Sequence, residues 1–116
     1  MALNQSYHNL WFVSFRLRNT SGHREPIQLR LRTSQYIPAE IVAECKARQT
    51  KPNELLTECN LDYLTKYPAG TRFHLKAKLT DREGGTMFFY SHYSWPALII
   101  VKPKQLAKKA HKKVCP

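Results

Sequence analysis

From Leu10 to Arg18 apolar and polar positions alternate, and setting Trp11, Val13, Phe15 and Leu17 on one face leaves Phe12, Ser14, Arg16 and Arg18 on the other. A half-buried strand is expected, with Phe12 outward beside the arginines. The turn-rich stretch 19–26 separates it from Ile27 to Thr33, where Ile27, Leu29 and Leu31 point inward and Arg30 and Arg32 outward. The two make an antiparallel hairpin. After Pro38, which suits a first helical position, Ile41, Val42 and Cys45 recur at helical spacing. Glu40 and Glu44 lie near the N-terminus, where the helix dipole favours acids. Lys51–Pro52 ends this helix. Asn53 then caps a second helical stretch with Leu55, Leu56, Cys59 and Leu64 inward, until Tyr67–Pro68 stops it.

Beyond the turn at 68–70 comes the most regular pattern in the chain: Phe73, Leu75, Ala77 and Leu79 alternate with Arg72, His74, Lys76, Lys78 and Thr80. The glycine-containing stretch 81–85 leads to an aromatic strand from Met87 to Trp95, and Ala97 to Val101 forms a fifth strand. With 116 residues there is room for one core. The order ββααβββ predicts an α+β domain over 1–101, a small antiparallel or mixed sheet of about five strands curled into a barrel, with one or two helices packed on it. Residues 102–116 lose apolar content and read as a basic, flexible tail.

Charge changes the picture because it is uneven. The chain carries a net +11, with five Arg and one Glu over 1–37, four bases and five acids over 38–66, four bases and two acids over 67–101, and six Lys without an acid in the tail. The helices are the neutral side. Outward positions of the strands gather Arg16, Arg18, Arg30 and Arg32, then Arg72, His74, Lys76 and Lys78, while the tail adds Lys104, Lys108, Lys109, Lys112 and Lys113. Like charges opposed across a sheet destabilise it by up to about 1 kcal/mol per pair, a penalty that phosphates would remove. On an ordinary strand exterior the same side chains would only cover apolar surface with their stems.

The aromatic strand carries rings on both parities. Phe88, Tyr90 and His92 fall on one and Phe89, Tyr93 and Trp95 on the other, so one set is core and the other either stacks on unpaired bases or is itself buried under the helices. Phe88, Tyr90 and the outward Phe12 are the stacking candidates. Basic strands beside an aromatic strand resemble an oligonucleotide-binding barrel in general layout, although two helical stretches between strands two and three depart from that pattern. Together these features predict a non-catalytic binder of nucleic acid, single-stranded DNA or RNA, in the cytoplasm or nucleoid or nucleus, with no cofactor and no metal.

Other chemistry is less well supplied. Cys45, Cys59 and Cys115 are odd in number and lack the close spacing of a zinc site or disulfide framework, so they read as reduced thiols, the first two in the core. A small basic ribonuclease using His74 or His92 is the enzymatic alternative, but no spacing links a base to a nucleophile. An adaptor for an acidic protein is a further alternative. The longest apolar run, Ala97 to Val101, is far short of the roughly 20 residues of a spanning helix, and the polar start at 1–9 lacks a signal-peptide pattern.

Overall fold

The structure is a computed structural model that describes residues 3, 5–17, 26–82 and 85–103. Six strands form one sheet: β1 (His8–Arg16), β2 (Ile27–Leu31), β3 (Thr57–Glu58), β4 (Arg72–Asp81), β5 (Met87–Tyr90) and β6 (Ile99–Val101). They run in the order β2-β1-β4-β5-β3, with β6 also on β4, and among the described residues only the β3–β5 pair is parallel. The sheet curls until its edges β2 and β3 come near each other, giving a nearly closed barrel. At that seam the edges enclose a cleft of about 520 Å3 between Gln28, Leu55, Thr57 and Met87. Two helices complete the fold, α1 (Ala39–Ala47) and the single turn α2 (Asp62–Thr65).

β4 is the strand that orients the others. Its alternation is one-sided, so Phe73, Leu75, Ala77 and Leu79 must face the core, and all are fully buried. Register then decides β1, because Phe12 lies opposite both Phe73 on β4 and Leu31 on β2. Phe12 is therefore a core residue with no exposure, against the outward position expected from counting apolar residues on each parity. Its ring meets Phe89 edge-on at 5.5 Å, and burying a side chain of this size contributes about 1.5–3 kcal/mol. Ser14 shares that buried parity because its hydroxyl is satisfied: Oγ donates to the Pro68 carbonyl at 3.2 Å and accepts from the Thr71 amide at 3.1 Å.

α1 covers one end of the barrel with Ile41 and Cys45, both buried as expected. Pro38 is the residue before the helix rather than within it, and its carbonyl accepts from the amides of Ile41 and Val42. The far end is tied down by Arg48, whose guanidinium bonds Glu44 at 2.8 Å and the buried Asp81 at 2.7 Å.

The second long helix does not form. Pro52–Glu54 makes one 3-10 turn without a side-chain cap, and the chain then extends so that the carbonyls of Leu56 and Glu58 accept from Phe89 at 3.0 Å and Ser91 at 2.8 Å. Pairing with β5 satisfies backbone groups that a helix at 55–58 would have kept to itself. Cys59 thus follows a strand rather than lying on a helix, and the order becomes ββαβαβββ. Positive φ at Gly70 (94°) makes the turn into β4, a conformation that a Cβ would strain.

Candidate functional site

The outer face of the barrel wall is read directly from register. Across β2, β1, β4 and β6, Arg30 lies beside Val13, Val13 beside Arg72, and Arg72 beside Val101. One step along, the Arg32 amide donates to the Trp11 carbonyl at 3.0 Å, Trp11 pairs with His74, and His74 with Ile99. Asn9 faces Lys76 next, and Lys78 then stands opposite Tyr90 on β5. Guanidinium and ammonium groups and rings therefore alternate on one surface.

The rings contact one another and the cations. Trp11 and His74 are stacked at 4.6 Å with only 6° between their planes. Tyr7 meets Trp95 edge-on at 5.1 Å, with Lys76 5.2 Å from the Trp95 ring and Lys78 5.0 Å from that of Tyr7. Tyr93, 70% exposed, stacks on His92 at 4.7 Å, and His92 reaches both Tyr90 and Trp95.

Local structure explains why these rings are held. Tyr7 is flanked by two residues pinned to α1: the Ser6 amide donates to Glu40 Oε1 at 3.0 Å, and His8 Nε2 lies 2.8 Å from the same oxygen. The bond to His8 holds the Glu40 carboxyl below its ordinary range. In the segment between β5 and β6, the Ser94 amide donates to His92 Nδ1 at 3.1 Å and the Trp95 amide to the His92 carbonyl at 3.1 Å. Tyr63 from α2 donates its hydroxyl to the Trp95 carbonyl at 3.3 Å, and the Leu98 amide bonds the His74 carbonyl at 2.8 Å to start β6.

The electrostatics of this face are one-signed. Among the described residues, no carboxylate lies within ion-pair distance of Arg30, Arg32, Arg72, Lys76 or Lys78. Elsewhere Arg48 pairs with Asp81 and Glu44, Arg82 with Glu58, and Lys66 with Asp62. Burial, and after it the like charge of Arg72, pulls the Arg32 guanidinium below its ordinary value.

Among the residues expected at this surface, Arg30, Arg32, Arg72, His74, Lys76, Lys78 and Tyr90 come together on it. Phe88 points outward too, opposite Thr80, but Arg82 already covers its ring at 4.7 Å, beside the seam. Arg16 does not join them. It is exposed, yet it stands opposite Ile27 on the parity of Phe12, at the end of β1. Phe12 is excluded by burial. Arg18, Lys104, Lys108, Lys109, Lys112 and Lys113 lie outside the described residues.

Pattern reading missed Tyr7, Trp11, Tyr93 and Trp95. The apolar residues on its parity of β1 place Trp11 in the core, whereas opposition to His74 puts it outside. Among the described residues, no group of three His, Cys, Asp or Glu is arranged to hold a metal ion. Set against protein-family models, curated proteins and solved structures, the chain matches none of them.

Proposed function

We propose that the protein is a non-catalytic binder of single-stranded DNA or RNA, and that the strand lies across the outer face of β2, β1 and β4 toward the segment between β5 and β6. One observation carries this reading. Five cations with no acid partner among the described residues are interleaved on a single exposed face with Tyr7, Trp11, Tyr90, Tyr93 and Trp95. Phosphates would neutralise the cations, and unpaired bases would stack on the rings for roughly 1–3 kcal/mol each, a combination a duplex with its bases already stacked does not use.

The test is a fluorescence-anisotropy titration of a labelled single-stranded oligonucleotide at several salt concentrations. Binding is expected to weaken with salt at a log–log slope of at least about −3, since each neutralised phosphate on a single strand contributes about −0.7. No binding at low salt overturns the proposal. RNA incubated with the protein should also stay intact, and cleavage lost on replacing His74 or His92 would put a ribonuclease in its place.

A further inference from the structure

The arginines of this face are not evenly spaced along it. Of the five cations with no acid partner among the described residues, Arg30 and Arg32 stand at its β2 margin and Arg72 comes next across Val13, with the Arg30 guanidinium 4.6 Å from the Phe15 ring. A hollow of about 270 Å3 opens between Arg30, Arg32, Thr33, Ser34 and Asn53. Its lining is mainly polar, with two hydroxyls and an amide beside the guanidinium groups. The turn that supplies the hydroxyls is fixed by Gln35, whose Oε1 accepts from the Trp11 amide at 2.9 Å. Gln35 Nε2 donates to the carbonyls of Trp11 at 2.8 Å and Arg32 at 2.7 Å. The stacked pair Trp11 and His74 continues the row that Arg32 begins.

Donor count and charge both exceed what an internal phosphate of a strand can use. A phosphodiester carries one negative charge and two free oxygens, whereas a terminal phosphomonoester carries about −1.5 to −2 and three strong acceptor oxygens. Each guanidinium alone presents five N–H donors in a fixed fork. β2 is also the last strand of the sheet on this side, so a strand stacked from Trp95 toward Trp11 reaches its end here.

We infer that this corner is a site for a terminal phosphoryl group, so that the protein holds the phosphorylated end of a single strand with Arg30, Arg32 and Arg72 while the adjoining nucleotide stacks on Trp11. The inference rests on the proposed single-strand binding and names the part of the strand it recognises.

The test uses the full chain and one oligonucleotide sequence in three forms, with a 5′-phosphate, with a 3′-phosphate, and with neither, plus a free nucleoside monophosphate. One phosphorylated form is expected to bind about tenfold tighter than the unphosphorylated one, the gain of one additional charge-assisted contact set. Arg32→Gln and Arg72→Gln should weaken both strands but abolish the difference between them, the phosphorylated form losing about tenfold more, while the thermal transition is retained. Equal affinity of all three oligonucleotides overturns the inference and leaves single-strand binding standing. A monophosphate that binds as tightly as the phosphorylated strand also overturns it, by making the ligand a mononucleotide. Absence of binding by every oligonucleotide overturns both.

Discussion

Phe12 and Trp11 are neighbours in sequence with opposite duties, and substitution separates them. Phe12→Ala empties a site closed by Phe73, Leu31 and Phe89, and is expected to lower unfolding free energy by about 3–5 kcal/mol in denaturant titrations. Trp11→Ala removes a half-buried ring from the outer face. It should cost far less stability but weaken oligonucleotide binding by ~1–3 kcal/mol, with Trp11→Phe in between. The thiols offer a second residue-scale test. Burial pushes the Cys59 thiol up to about 12 and raises that of Cys45 as well. The folded chain therefore keeps protons that the unfolded chain releases above the ordinary thiol range, near 8.5. Stability from this source is whole below that range and falls as pH rises toward 12, and a disulfide exchange reagent at pH 8 should modify the buried Cys45 only as fast as the protein opens and the part-buried Cys59 sooner.

At the scale of elements, the attachment of α1 to the barrel depends on a carboxylate that water does not reach. The Asp81 side chain is 2% exposed and is met by Arg48 and by the Leu3 amide at 2.8 Å. Replacing Arg48 with Leu leaves that charge buried without its cation. The expected loss is about 2–3 kcal/mol, under the 3–5 of a fully buried pair because Arg48 is itself 31% exposed, and Arg48→Lys should recover part of it in thermal melts.

Elements also show where the chain was legible. β4 is legible over 72–79, where its two parities differ completely in polarity, whereas Thr80, expected outward, is buried with its hydroxyl donating to the Leu3 carbonyl at 2.8 Å. β1 is not legible in this way, since Leu10 and Phe12 compete with Trp11, Val13 and Phe15, and only the neighbouring strands break the tie. The 53–66 stretch has leucines at near-helical spacing, but a non-local partner, β5, captures its backbone. The cations of the candidate surface were visible because Arg, His and Lys on β2 and β4 follow strand periodicity. Tyr7, Tyr93 and Trp95 lie outside the strands, where periodicity carries no information and only hydrogen bonds to Glu40, His92 and Tyr63 set their positions.

For the molecule as a whole, the two tryptophans of the sequence report on the proposed surface together. Trp11 and Trp95 both lie on it, separated by the row of Asn9 and Lys76. A single strand that crosses the sheet should quench intrinsic fluorescence at both, so Trp11→Phe and Trp95→Phe are each expected to retain part of the quench. Quenching confined to one variant would mean that the strand covers one end of the face alone. Since Phe12 and Leu10 carry the other side of β1, neither substitution should disturb the core.

The central place of β4 has a consequence for how the chain is made. β4 pairs with β1, β5 and β6, and its partner residues on β1 precede it by some sixty positions. Until β4 is available, Leu10 and Phe12 on β1 lack Leu75 and Phe73, the residues that stand opposite them in the finished sheet. Long-range pairing of this kind folds slowly and leaves apolar surface open to association while it waits. The lysines and arginines of the same strands repel one another, and that repulsion keeps unfinished copies apart during the interval before the barrel can close.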